Sequence, residues 1–120
     1  MNFIWITLLV VPIIAGQLLG GWNNIALDDE EIQKFLPKIE KLYNQQVNDA
    51  NQHKAIRFVD AKSQIVNGVN YKFKIEMGRT NCRLGKVCND PSVSNKHQID
   101  ASVYKQPWTN TESISFKPSN

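Results

Sequence analysis

Residues 64–71 of this chain read QIVNGVNY, and they decide how the second half of the sequence folds. Asn67-Gly68 supplies the positive-φ residues that a tight two-residue hairpin turn requires, and alternating apolar residues flank the pair on both sides. Ile65 and Val66 lie directly at this turn, although a hairpin tip normally faces water and favours polar residues. The stretch therefore predicts two antiparallel strands joined by an apolar tip.

Working outward from the hairpin, four segments carry residues two apart that can share one face, a period typical of half-buried strands. They are 55–66 (AIRFVDAKSQIV), 69–78 (VNYKFKIEMG), 97–106 (HQIDASVYKQ) and 112–118 (ESISFKP). We expect four antiparallel strands in meander order, with a short strand within 22–27 at the sheet edge. Residues 82–95 (CRLGKVCNDPSVSN) are predicted to form one long irregular loop.

Before the strands, the sequence predicts one amphipathic helix. Apolar residues recur at three- and four-residue spacing: Ile32, Phe35, Leu36, Ile39, Leu42, Tyr43 and Val47. Four acids at 28–31 suit the positive end of the helix, and Pro37 predicts either a bend or a separate first turn. A loop is predicted at 48–52. The fold class is α+β: one long amphipathic helix wrapped by a four- to five-stranded antiparallel sheet.

The amino-terminal segment has the character of a secretory signal peptide. Residues 3–15 (FIWITLLVVPIIA) form an apolar run that is too short to be read as a membrane span. Gly16 is a small residue suited to the position before the cut. We expect a signal peptide at 1–16, a mature domain at 17–120 and a secreted, extracellular protein.

The two cysteines, Cys82 and Cys88, are expected to form a disulfide in an exported chain. The alternative is a metal site that also uses His97, but the spacing is not the close Cys-x-x-Cys pair and a fourth ligand is not evident. The net charge of +3 is mild, and the lysines are scattered between acids. Neither nucleic acid nor a membrane surface is indicated as a partner.

The sequence offers no catalytic constellation. His53 and His97 are the only neutral-pH bases, neither belongs to a recognisable motif with a Ser or free Cys, and both are interpreted as exposed polar strand residues. A Gly-rich phosphate-binding loop and a carboxylate cluster with metal-loop spacing are both absent. We expect neither an enzyme nor a cofactor.

Three features carry apolar groups where solvent is expected: Leu18-Leu19-Gly20-Gly21, the 64–68 hairpin tip and Pro107-Trp108. Singly, each has an ordinary explanation, such as Trp108 folding back over the core. Together they resemble the cystatins, inhibitors of papain-like cysteine proteases, whose signature is an amino-terminal Gly, a Gln-x-Val-x-Gly hairpin and a Pro-Trp hairpin in that order. The resemblance extends from Leu18 to the carboxy terminus, and residues 64–82 (QIVNGVNYKFKIEMGRTNC) are closest to the secreted, disulfide-containing branch.

The resemblance implies that these three features line up as a wedge that fills the cleft of a cathepsin L-, B- or S-like protease. The implied protease-binding residues are Leu18, Leu19, Gly20, Gln64, Ile65, Val66, Asn67, Gly68, Pro107 and Trp108. The chain is expected to act as a monomer. Residues 96–120 lack the cysteines of the second disulfide that usual vertebrate members carry. The alternative function is a non-inhibitory cystatin-fold binding or effector module.

A second site is implied by the same resemblance. Some secreted cystatins inhibit legumain-type asparaginyl endopeptidases through an Asn between the helix and the next strand, and Asn48 occupies that position without insertion or deletion between Tyr43-Asn44 and Gln64. Val47 differs from the Ser that commonly precedes this Asn. The alternative is that Asn48 merely ends the helix, as Asn often does.

Overall fold

The computed structural model describes residues 21–119, and this part of the chain contains one helical segment and one antiparallel sheet. The strands are β1 (Asn23–Asn24), β2 (Asn51–Ile65), β3 (Val69–Arg83), β4 (Val93–Gln106) and β5 (Thr111–Pro118), and they pair in that order. The helices are α1 (Glu30–Gln33) and α2 (Phe35–Gln46). The predicted α+β class, the four-strand meander and the short edge strand are confirmed. The predicted signal peptide and residues 18–20 lie outside the described residues.

The helical segment is divided into two helices. Of the two expectations for Pro37, a bend or a separate first turn, the separate first turn is confirmed. The Asp29 carboxylate caps α1 by accepting a hydrogen bond from the Glu31 backbone N–H at 2.8 Å. Lys34 separates the two helices, and Pro37 is the third residue of α2. Because the first four N–H groups of a helix have no intrahelical acceptor, the proline costs α2 no backbone hydrogen bond there.

The hydrophobic core lies between the helices and the inner face of the sheet. The buried apolar residues are Ile32, Phe35, Ile39, Ala55, Phe58, Ala61, Phe73, Ile75, Met77, Ile99, Ala101 and Val103. Ala61, Phe73, Ala101 and Phe116 are cross-strand neighbours in one row, so small and large side chains alternate beneath the helix. This alternation lets the helix approach the sheet while the rings fill the space beside it.

The strands are longer than predicted at the end away from the 64–68 hairpin. Residues 51–52 belong to β2, so the predicted 48–52 loop is wrong at its end, and the irregular segment between β3 and β4 is 84–92 rather than 82–95. Asn51 donates from Nδ2 to the Thr80 carbonyl at 2.9 Å, and Thr80 donates to the Gln52 carbonyl at 2.8 Å. Side-chain bonds of this kind hold polar residues in strands whose composition resembles a loop.

Candidate functional site

The first hairpin ends in a three-residue loop, not in the predicted two-residue turn. Ile65 pairs with Val69, which leaves Val66, Asn67 and Gly68 as the loop. Asn67 and Gly68 have φ values of 45° and 127°, so the expected positive-φ conformations are confirmed. Ile65 is 58% exposed and Val66 is 46% exposed. The tip therefore presents two aliphatic side chains to solvent.

Gly68 is required for a steric reason as well as for its backbone conformation. It is buried against β4, and a Cβ atom at this position would lie 2.8 Å from the Lys105 carbonyl oxygen and 2.9 Å from the Tyr104 hydroxyl. Real Cβ atoms essentially never approach other heavy atoms so closely. Any side chain at position 68 would push the first tip away from the neighbouring strand.

The second hairpin carries Trp108 on a short 3₁₀ turn. Gln106 pairs with Thr111, and Pro107–Thr109 form the turn, which Asn110 closes with a φ of 55°. Trp108 is 65% exposed. It does not cover the core, so the ordinary explanation for this aromatic residue is wrong.

The two hairpin tips lie side by side because β4 connects them. The carbonyl oxygen of Asn67 accepts hydrogen bonds from the Tyr104 hydroxyl and from Gln106 Nε2. Gln64 is half-buried opposite Asn70 in the ladder, just before the tip. Tyr104 and Gln106 were not among the predicted site residues, although both precede Pro107 at the two-residue spacing of one strand face.

The first described residues, 21–24, join the sheet at the end that carries the first hairpin. Asn23 of β1 pairs with Ser63, two residues before Ile65. Trp22 packs against Lys72, whose Nζ lies 4.4 Å from the indole ring centroid. Leu18, Leu19 and Gly20 precede this point and lie outside the described residues.

Asn48 lies at the opposite end of the molecule, in the loop that connects α2 to β2. The backbone N–H of Val47 closes the helix by donating to the Tyr43 carbonyl at 2.9 Å. The N–H of Asp49 donates to the Val47 carbonyl at 2.9 Å, which leaves the exposed Asn48 at the centre of a tight turn. Asn48 is not among the positive-φ residues of the described chain, so it does not end the helix in the left-handed conformation typical of Asn.

Asp49 holds this loop through four hydrogen bonds. Its carboxylate accepts from Arg79 Nε and Nη2 at 2.8 and 3.2 Å and from the Asn51 backbone N–H at 3.1 Å, and His53 Nε2 lies 2.8 Å from Oδ2. These bonds, that from Arg79 above all, hold the pKa of Asp49 well below its ordinary value of 3.8. Asn44 adds a clamp, because its side chain bonds both backbone groups of His53, at 2.7 and 2.9 Å.

The prediction that both histidines are exposed is wrong. His53 is only 8% exposed and His97 is half-buried. His53 packs beside the Tyr43 ring, with 5.4 Å between ring centroids, and His97 Nε2 lies 2.9 Å from the Tyr43 hydroxyl. The last turn of α2 covers β2 and β4 at the two histidines. It therefore encloses these polar side chains, although the alternating pattern of their strands predicted exposure.

The loop between β3 and β4 packs beside the Asn48 loop. Cys82 and Cys88 form the predicted disulfide, with 5.8 Å between their Cα atoms, so both sulfur atoms are bonded to each other rather than to a metal. The Leu84 N–H donates to the Ala50 carbonyl at 2.8 Å, and this contact joins the two loops. Val87, in the same loop, is 89% exposed to solvent. Within residues 21–119, no helix is long and apolar enough to cross a membrane.

The sequence of this chain matches a known family of proteins. The family model described as "Cystatin domain" matches residues 20–108. The chain is 34% identical over 103 residues to cystatin-C of Bos taurus, and the match covers 80% of this chain and 70% of that protein. It is 27% identical over 114 residues to L-cystatin of Tachypleus tridentatus, and this match covers 89% of the chain and 86% of that protein. The chain belongs to the cystatin family.

Solved structures agree on the fold. The crystal structure of Al-CPI matches with a TM-score of 0.74 and 24% identity, covering 83% of this chain and all of the other. The salivary cystatin from the soft tick Ornithodoros moubata matches with a TM-score of 0.64 and 23% identity, covering 84% and 98%. By membership of this family, the chain has the general function of a cysteine protease inhibitor.

The Asp49 contacts lead to a prediction about pH. Because the carboxylate is ionised and bonded in the folded state, its stabilising contribution is complete above the ordinary pKa of 3.8 and is lost only as pH falls through the lowered value. The carboxyl carbon resonance of Asp49 should therefore stay flat from pH 7 to about pH 3. In Arg79→Ala it should titrate nearer to the ordinary value. A wild-type midpoint close to the ordinary value of 3.8 would contradict the prediction.

Proposed function

We propose that the mature chain, 17–120, is a reversible, competitive inhibitor of papain-like cysteine proteases of the cathepsin L, B and S type. The observation that supports this function best is the pair of adjacent hairpin tips carrying exposed Ile65, Val66 and Trp108. Apolar side chains held together at one end of a sheet favour burial by a partner. We use the name two-hairpin edge for residues 64–68 and 107–108.

Inhibition works by occupation of the cleft. The two-hairpin edge covers the catalytic Cys and His of the target, while Leu18 and Leu19 extend into the third and second substrate subsites. In the proposed complex the chain turns away from the catalytic thiol at Gly20, so that a scissile carbonyl is not presented. Since the hairpins are formed before binding, the cost of ordering them in the complex is small.

The same proposal includes the location and the oligomeric state of the protein. Cleavage of the signal peptide at 1–16 releases the chain to the extracellular space as a monomer. The alternative is a cystatin-fold binding or effector module without inhibitory activity. A titration of papain activity with purified 17–120 separates the two functions: competitive inhibition with one site per molecule supports the proposal, and full activity at micromolar inhibitor favours the alternative.

Trp108→Ala should weaken papain inhibition by about 30-fold, or on the order of 2 kcal/mol, which is typical for a central interfacial Trp. The melting temperature should hardly change, because the indole is mostly exposed. Val87→Ala is the matched control: it removes an exposed apolar side chain at the opposite end and should leave inhibition unchanged. A Trp108→Ala variant that loses several kcal/mol of stability would contradict this interpretation.

Deletion of residues 17–19 tests the amino-terminal segment. Leu18 and Leu19 are the apolar residues that precede the Gly pair, so the truncated chain should inhibit cathepsin L-like endopeptidases, with a deep apolar second subsite, more weakly than 17–120 does. Exopeptidases with an obstructed cleft should be less affected. Inhibition constants that are equal for both chains and both classes of protease would rule out this contribution.

A second, independent activity is proposed at Asn48, against legumain-type asparaginyl endopeptidases. The observation in its favour is an exposed Asn at the centre of a loop held on both sides, by Tyr43 at the helix end and by Asp49 against β3. A loop fixed in this way can present a side chain to a specificity pocket without a large ordering cost.

Asn48→Lys should abolish legumain inhibition and leave papain inhibition intact, because the two sites lie at opposite ends of the sheet. Trp108→Ala provides the reciprocal control and should affect papain alone. A ternary complex of papain, inhibitor and legumain should be detectable by size-exclusion chromatography. The proposed site fails if the wild-type chain does not inhibit legumain at micromolar concentration, or if Asn48→Lys inhibits as well as wild type.

A further inference from the structure

The Asn67 carbonyl oxygen is the point at which the two hairpin tips are joined. It accepts one hydrogen bond from the Tyr104 hydroxyl and another from Gln106 Nε2, the latter at 3.1 Å. A carbonyl oxygen has two lone pairs, so these donors use its full accepting capacity. Both donors belong to β4 and lie two residues apart, on one face of the strand.

The side-chain amide of Gln106 is oriented by the second tip. Thr109, in the same 3₁₀ turn as Trp108, donates from its hydroxyl to Gln106 Oε1 at 2.8 Å. Since Oε1 accepts from Thr109, the donating Nε2 faces Asn67. Gln106 therefore links the conformation of the Trp108 turn to the conformation of the first tip.

We propose that Tyr104 and Gln106 are positioning residues for protease inhibition. Acting through Asn67, they fix Ile65 and Val66 relative to the Trp108 turn, so that the two-hairpin edge enters a cleft as one preformed surface. This inference rests on the proposed function. Its physical basis is that restraining the tip before binding removes conformational freedom that binding would otherwise have to remove. The narrow space around Gly68 agrees with it, because any added side chain would separate the tip from Tyr104.

The test uses Tyr104→Phe, which removes only a hydroxyl, and Gln106→Ala, each assayed against papain. Each variant should raise the inhibition constant about three- to tenfold, the range expected for one hydrogen bond. Tyr43→Phe is the matched control: it also removes a hydroxyl that is hydrogen-bonded, to His97 at 2.9 Å, but at the far end of the sheet. It should inhibit papain as well as wild type does.

A second measurement distinguishes positioning from general destabilisation. The Val66 N–H donates to the Gly68 carbonyl across the first tip at 3.0 Å, so its hydrogen exchange reports on the order of the tip. Exchange at Val66 should be several-fold faster in Tyr104→Phe than in wild type, with an unchanged melting temperature. Unchanged inhibition constants in both variants, alongside an active wild type, would overturn the proposal.

The outcome also remains interpretable if the proposed function is wrong. A wild-type chain that does not inhibit papain would refute that function, whereas exchange at Val66 would still test the positioning. Faster exchange in Tyr104→Phe supports the restraint of the tip. Identical exchange in wild type and in Tyr104→Phe overturns it.

Discussion

Packing of the helices against the inner face of the sheet is the interaction on which the rest of the structure depends. A 12-residue helix such as α2 is about 18 Å long, whereas a 15-residue strand such as β2 or β3 extends about 50 Å. The helices therefore cover only part of the sheet. The last turn of α2 reaches the end at which β2 begins, where His53 is buried, whereas the exposed 64–68 hairpin projects beyond the core. Each end carries one of the two proposed inhibitory sites.

Local contacts stabilise both ends of the sheet. At the hairpin end, side chains from β4 bond one backbone carbonyl, that of Asn67. At the other end, the contacts are ionic and covalent: the Asp49–Arg79 pair and the Cys82–Cys88 disulfide. A single disulfide suits this arrangement, since the last hairpin is held by the long β4–β5 ladder and by Phe116 packed against the core.

Exposed apolar residues indicate a partner-binding surface at the hairpin end of the sheet but not at the Asn48 end. Leu84 and Val87 lie in an irregular loop, where single exposed hydrophobic residues are ordinary. Ile65, Val66 and Trp108 instead occur on two turns that are bonded to each other, so their relative positions are fixed. Fixed spacing, in addition to exposure, is what makes a surface suited to one shape of partner.

The sequence by itself determined the features that depend on near neighbours in the chain. These are the amphipathic helix with its break near Pro37, the alternating strands, the positive-φ pair at Asn67-Gly68 and an apolar tip. The tertiary structure alone decided which distant groups meet. Tyr104 and Gln106 reach Asn67 across 37 and 39 residues, and Arg79 reaches Asp49 across 30. Periodicity specifies which face a side chain occupies, but strand register decides which residue lies opposite, and register follows from packing of the whole sheet. For the same reason, the third residue of the first loop and the burial of His53 became evident only in the folded chain.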